Sequence, residues 1–192
     1  KDSYSLPRID DLLALFRGAK YFSVIDCASG FYQVPLDDES AAKTAFLTKR
    51  GLFEYVRMPF GLTNAPATFQ RLIDMLLGPR PWPNEKDGPH EPSLRYKSAC
   101  AFVDDICAYS KDWPQHLRDL DAVLARMEAG GVSAKLAKCQ FGLRQIVYLG
   151  WTVSAQGVTA DPRKIEDIRR MPVPTSLPQL RSALGLFGFY RK

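Results

Sequence analysis

The chain has 192 residues, which suits one domain, or one domain with an appended piece, and 46% of them are hydrophobic, enough for a packed core. No run of about 18 apolar residues occurs, so no membrane-spanning helix is expected, and no charged-then-apolar leader opens the chain, so no secretory signal is expected. The net charge of +5 fits a polyanionic partner without demanding one.

After Pro7, the residues Ile9, Leu12, Leu13 and Phe16 recur at helical spacing, and Gly18 can stop the helix. Tyr21 to Asp26 is an apolar run ending on a carboxylate, the pattern of a buried strand. Tyr32-Gln33-Val34-Pro35-Leu36 reads as extended and leads to a polar turn at Asp37-Asp38-Glu39. Thr44 to Thr48 and Phe53 to Arg57 read as a hairpin around Lys49-Arg50-Gly51. Asn64 suits an N-cap and Pro66 the first turn of a helix whose apolar face is Phe69, Leu72, Ile73 and Leu76. From Gly78 to Pro92 there are prolines at 79, 81, 83, 89 and 92, so an exposed loop is expected.

Ser98 to Val103 and Ile106 to Ser110 form the arms of a hairpin with Asp104-Asp105 at its tip. Asp112 can cap a helix lined by Leu117, Leu120, Leu124 and Met127, which Gly130-Gly131 ends. Gln140 to Gly142, Ile146 to Leu149 and Trp151 to Ser154 read as short strands. Asp161-Pro162 opens a helix through Arg170, and Thr175 or Ser176 opens the last one, with Leu177, Leu180, Leu184 and Phe187 on its apolar face. Strands and helices interleave without regular βαβ alternation and without internal repeats, so the fold class is α+β.

The chemistry concentrates at Ala101-Phe102-Val103-Asp104-Asp105-Ile106. Adjacent carboxylates repel, and a fold keeps such a pair at a sheet tip most readily when a cation neutralises it. With Asp26 on another strand end, three carboxylates can hold two divalent metals for phosphoryl transfer. An ordinary polar turn is the alternative for Asp104-Asp105 taken alone. Cys27, Cys100, Cys107 and Cys139 form no CxxC pair, and His90 and His116 are not at metal-ligand spacing. Neither a zinc site nor a disulfide framework is expected, and free thiols fit an intracellular compartment.

Phe102-Val103-Asp104-Asp105 resembles the aromatic-x-Asp-Asp box of reverse transcriptases. Phe22-Ser23-Val24-Ile25-Asp26-Cys27-Ala28-Ser29-Gly30-Phe31-Tyr32-Gln33 resembles the first catalytic block of that family. Lys43-Thr44-Ala45-Phe46 and the stretch from Met58-Pro59-Phe60-Gly61 through Asn64 to Phe69-Gln70 resemble the next two, and Tyr148-Leu149-Gly150 the primer-grip block. The wording is most similar to the gypsy-type LTR retrotransposon polymerases, in the opening Ser5-Leu6-Pro7-Arg8 and the closing Leu184-Gly185-Leu186-Phe187 as well.

The resemblance implies a polymerase palm of the right-hand type with partial fingers and the start of a thumb, divided at 1–154 and 155–192. It implies an RNA-directed DNA polymerase that adds dNTPs to a primer on an RNA or DNA template. Two Mg2+ ions, or Mn2+, about 3.5–4 Å apart are expected on Asp26 and Asp104, with Asp105 supporting and Val103 entering only through its backbone. Phe31 is expected under the incoming sugar as a steric gate, and Phe60 and Gly61 beside the nucleotide and template base. Lys138, or Lys135 in its place, is expected to draw the triphosphate or protonate pyrophosphate. Tyr148, Leu149, Gly150 and Trp151 are expected to press the primer end toward the acids, and Arg163, Lys164, Arg169 and Arg170 to touch phosphates. On their own these residue types read as a core aromatic, a turn glycine, a surface lysine, a plain hairpin and a charged helix face.

The resemblance also implies a polyprotein with RNase H and integrase regions, in a cytoplasmic virus-like particle or the nucleus. The start at Lys1 and the stop after a helical pattern read as a piece of such a chain, without the first fingers strands or most of the thumb. An inactive retroelement relic that at most binds nucleic acid is the alternative. A two-metal nuclease, which would cleave a strand instead of lengthening it, is a second one.

Overall fold

Apolar strands with no polar face need cover on both sides, and that requirement organises the molecule. The computed structural model describes residues 4–83 and 88–190. Its central sheet has the order β4 (Ala99–Phe102), β5 (Asp105–Ser110), β1 (Tyr21–Asp26), β6 (Gln140–Leu143), all antiparallel. Ile25, Ala101, Ile106 and Ala108 face α3 (Ala65–Leu77) and α4 (Trp113–Ala129), where Phe69, Ile73, Leu76, Val123 and Met127 pack. Phe22, Cys100, Cys107 and Tyr109 meet α1 (Ile9–Leu15) and a second sheet on the other face. That sheet is β7 (Gln145–Tyr148), β8 (Trp151–Ser154) and β9 (Gly157–Ala160), which carry Ile146, Tyr148, Trp151 and Val153 inward. Phe16 makes edge contacts with Phe22, Tyr109 and Tyr148 and so stitches the two sheets together. Each such ring is worth about 1.5–3 kcal/mol of burial.

A two-stranded hairpin, β2 (Phe46–Thr48) and β3 (Gly51–Phe53), stands apart with its side chains exposed. The chain closes with α5 (Pro162–Arg169) and α6 (Leu177–Phe189). No helix among the described residues is long and apolar enough to cross a membrane.

Several expectations are corrected. The polar turn at Asp37-Asp38-Glu39 is the start of α2 (Asp38–Ala42), because the Asp37 side chain accepts from the Ser40 amide at 2.7 Å and caps a helix. The extended run from Tyr32 begins instead as a 3-10 turn, Gly30–Gln33, and only Pro35 bridges to Arg57. Asn64 sits at the N-cap of α3 without a capping bond from its side chain. The buried face of α4 is rotated. Leu117 and Leu124 are exposed, and His116, Val123, Arg126 and Met127 are buried, because two polar side chains find partners inside.

The proline-rich stretch is not simply an exposed loop, although residues 84–87 lie outside the described residues. Trp82 is buried under the Arg80 guanidinium, 4.5 Å above its ring. Arg80 and Glu91 exchange backbone hydrogen bonds of 3.0 and 3.3 Å. The buried Arg126 donates to the Glu91 carboxylate at 2.7 Å and to the carbonyls of Gly78, Leu76 and Pro92. On α6 the expected apolar face, Leu177, Leu180, Leu184 and Phe187, stands exposed, and Ala183 is the buried residue. β9 escaped the sequence reading, and it continues the same sheet past residue 154.

Candidate active site

Antiparallel pairing of β1 with β5 runs in register from Tyr21↔Ser110 to Asp26↔Asp105. Both strands therefore end on facing carboxylates. Val103 and Asp104 form the connection between Phe102 and Asp105, which pair across the hairpin. Val103 takes a φ of 52°, a left-handed conformation that a β-branched residue adopts only under constraint. The Cys27 amide donates to the Asp104 carbonyl at 3.1 Å and ties the end of β1 to this turn.

Asp104 Oδ1 is buried without a hydrogen-bond partner. It tucks against Gly30, where a Cβ would collide with that oxygen and with the Phe69 ring. Burial first, then the charges of Asp105 and Asp26, holds the Asp104 carboxyl above the usual carboxylate range. Burial and the Asp26 charge do the same for Asp105. Lys138 opposes both shifts, and its ammonium lies 3.2 Å from Asp26 Oδ2. The neighbouring Cys27 thiol is pushed up to about 12 by burial and then by the three carboxylates, so it is no nucleophile.

The donor set fits a hard divalent cation. It offers oxygen-only ligands, a net negative cluster and one orphaned buried oxygen. Among the described residues no three acids, histidines or cysteines converge as a ready-made cage. Asp26 directs an oxygen at Lys138, and Asp104 tucks one against Gly30.

The other expected residues fall around this cluster. Phe31 follows Gly30 and is nearly buried, with its ring 5.2 Å from Phe60 and 5.9 Å from Phe69. Phe60 is exposed, and Gly61 has a φ of 92° with open space beside it. Lys138 ends a 3-10 turn, Leu136–Lys138, anchored where the Lys135 amide donates to the Asp26 carbonyl at 2.8 Å. Tyr148 and Trp151 are paired and buried, leaving Leu149 and Gly150 to make a two-residue turn with φ of 50° and 81°. Tyr148 Oη donates to the Asp105 carbonyl at 3.1 Å and links this turn to the acids. Arg163, Lys164, Arg169 and Arg170 each pair with an acid on or just before their own helix.

Two residues were missed as site residues. Gln33 donates to the carbonyls of Ala28 and Ser133 and accepts from the Ser133 amide, tying the 3-10 turn that carries Phe31 to the segment at Ser133. Gln70 is fully buried and holds the acid turn. The signal available was a polar pair, Gln70 and Asp74, at i,i+4 spacing on the same side of the helix as the apolar Phe69, Ile73 and Leu77.

An antiparallel sheet backed by two helices, with carboxylates gathered at adjoining strand ends, has the architecture of a polymerase palm. The family model described as reverse transcriptase (RNA-dependent DNA polymerase) matches residues 1–153. The chain is 39% identical over 191 residues to the retrovirus-related Pol polyprotein from transposon opus of Drosophila melanogaster, covering 100% of this chain and 18% of that protein. It is 34% identical over 190 residues to the corresponding polyprotein from transposon gypsy of the same organism, covering 99% of this chain and 17% of that one. Among solved structures, the foamy viral protease-reverse transcriptase in complex with double-stranded DNA superposes with a TM-score of 0.82 at 26% identity, over 99% of this chain and 31% of that one. The chain belongs to the reverse transcriptase family. It spans less than a fifth of the length of these polyprotein relatives.

Proposed function

We propose that this chain is the catalytic core of an RNA-directed DNA polymerase, which adds dNTPs to a primer 3′-end as part of a retrotransposon polyprotein. The observation that carries the reading is the in-register meeting of Asp26 and Asp105, with the Asp104 oxygen buried and unpartnered beside them. Asp26 and Asp104 would hold the metals, with Asp105 in support. Two divalent cations bound there, ordinarily Mg2+, would supply activation of the primer hydroxyl and charge stabilisation of the leaving pyrophosphate.

The remaining roles belong to the protein. The Phe31 ring, wedged between Phe60 and Phe69, excludes a 2′-hydroxyl by its bulk. The exposed Phe60 and the open space at Gly61 suit a base and a close backbone approach. Lys138 is near enough to the acids to attract the triphosphate or to give pyrophosphate a proton. The Leu149-Gly150 turn, tied to Asp105 through Tyr148, suits a support for the primer end. Template and primer, RNA or DNA, are the macromolecular partners of this reading, with RNase H and integrase regions elsewhere in the polyprotein.

The test is primer extension on oligo(dT)-primed poly(rA) with Mg2+, beside Asp104→Asn. Extension that the variant abolishes supports the polymerase. Shortening of a labelled strand instead would replace it with a nuclease. Hybrid binding without synthesis, in a chain carrying added upstream and thumb sequence, would mark a relic.

A further inference from the structure

We infer that Gln70 is a positioning residue that sets the acid turn, and that Asp74 sets Gln70; the inference rests on the polymerase reading above. Gln70 lies on α3 with no exposed surface, and Asp74 one turn later is nearly as buried. Gln70 Oε1 accepts from the Val103 amide at 2.7 Å. Its Nε2 donates to the Ala101 carbonyl at 3.2 Å and to Asp74 Oδ1 at 3.0 Å. One side chain thus grips the backbone on both sides of Phe102, immediately before Asp104 and Asp105.

The orientation of that amide is forced. An ionised carboxylate only accepts hydrogen bonds, so it must face the Nε2 end. The Oε1 end is then left to face the Val103 amide. Asp74 is itself fixed from the other side, by the Arg95 guanidinium at 2.8 Å and the Tyr4 hydroxyl at 2.5 Å. A chain of charge-assisted and amide bonds therefore runs from Tyr4 and Arg95 through Asp74 and Gln70 to Val103. It ends on the residue with the left-handed φ, the conformation that needs outside support. The bonds of Gln70 to this turn go to the backbone at Ala101 and Val103. Its effect on chemistry passes through the backbone of the turn.

The experiment compares the unaltered chain with Gln70→Met, which keeps volume and removes both amide functions. His116→Gln serves as a control, a buried polar change outside this network. Three quantities are read in each protein: melting temperature, the kcat and KM for dTTP on primed poly(rA), and Mn2+ affinity by EPR titration of the metal-free chain. Gln70→Met is expected to lower kcat by about 10²-fold, the cost of a small misplacement of reacting groups. KM for dTTP should stay within about threefold, since only the geometry of chemistry is disturbed. Mn2+ affinity should fall about 10- to 100-fold, as for lost supports behind a metal ligand. His116→Gln should lower the melting temperature and leave the other two unchanged.

Equal loss of kcat and Mn2+ affinity in both variants would overturn the inference, because any buried polar change would then suffice. Unchanged Mn2+ affinity in Gln70→Met would overturn it as well. Should Gln70→Met not fold, Asp74→Asn reads the same chain of bonds one residue upstream, with the same expected direction. If the unaltered chain extends no primer yet binds Mn2+ in an Asp104-dependent way, the kinetic comparison is made in the chain carrying added upstream and thumb sequence, and the Mn2+ comparison already decides the role of Gln70. Absence of Asp104-dependent Mn2+ binding would overturn both.

Discussion

Gly30 and Asp104 share one space: a side chain on the glycine would occupy the position of Asp104 Oδ1. The 3-10 turn that carries Phe31 is therefore fitted directly against the acid turn. Gly30→Ala is expected to displace the carboxylate and the Phe69 edge together. Polymerase activity should fall about 10²-fold or more. Mn2+ affinity, followed by EPR, should fall with it, and an unchanged affinity would sink the prediction.

Asp104→Asn should make the metal-free protein more stable while abolishing synthesis. The carboxyl is held above its ordinary value of 3.8 by burial and by Asp105 and Asp26. A raised folded-state value means that the folded form binds more protons between the two values. Stability is then fully present below 3.8 and is lost as pH rises through the folded value. At neutral pH the charge is a burden that the amide lacks. A gain of about 0.5–2 kcal/mol, or about 2–4 °C in melting temperature for each kcal/mol, is expected by calorimetry in EDTA.

Phe31→Ala should admit ribonucleotides. The ring is braced by Phe60 and Phe69, so truncation opens a cavity instead of drawing in a neighbour. The ratio of dNTP to rNTP incorporation, measured on one template, should fall by at least about tenfold, the scale of one lost steric contact. An unchanged ratio would remove the gate role.

His116 gives the protein an acid-side weakness. Ser110 donates to Asp119 at 2.6 Å, so it accepts from His116 Nδ1 at 3.1 Å. Nε2 then accepts from Ser23, 2.8 Å away, and Ser23 in turn accepts from the Gly142 amide. Burial holds the imidazole below its usual 6.5. An unfolded chain takes up the proton first, so stability is constant above 6.5 and falls as pH drops from there toward the folded value. Melting curves at about pH 7.5 and 5.5 should differ by up to about 1 kcal/mol on this account, and His116→Gln should flatten the difference.

Arg126→Met should loosen the proline-rich segment. The change leaves the Gly78, Leu76 and Pro92 carbonyls without this donor and strips Glu91 of its closest cation. Each buried carbonyl left without a donor costs about 1–3 kcal/mol, while Glu91, 40% exposed, keeps Arg80 beside it. A melting temperature lowered by roughly 10 °C and faster tryptic cleavage between residues 78 and 92 are expected. Normal protease resistance would show that the loop is held elsewhere.

The strands that carry the three acids were legible in the sequence because they obey local rules. Tyr21 to Ile25 is apolar but for Ser23, and a strand covered on both faces reads that way. Asp104-Asp105 announces itself by putting two charges between apolar arms. Where long-range partners decide, the reading failed. Leu117 and Leu124 look like the buried face of α4, but His116 and Arg126 go inside because Ser23 and Glu91 wait for them from distant segments. Prolines announce a loop, but nothing local says that Trp82 folds back into the core. Gln70 hid for the same reason, since its partners, Ala101 and Val103, lie more than 30 residues away in sequence.

The register of β1 on β5 sets where this chain can change its length. Inserting or deleting one residue in either strand would turn Asp26 or Asp105 to the opposite face of the sheet, because side chains alternate. Between Arg80 and Glu91 the case is reversed. Their backbone bridge closes the neck of the loop, and a doubling of the chain beyond that neck costs only about 0.6 kcal/mol in closure entropy. An epitope tag or a fluorescent label spliced there should leave the acids undisturbed, whereas a single added residue on β1 or β5 should pull the acids out of register.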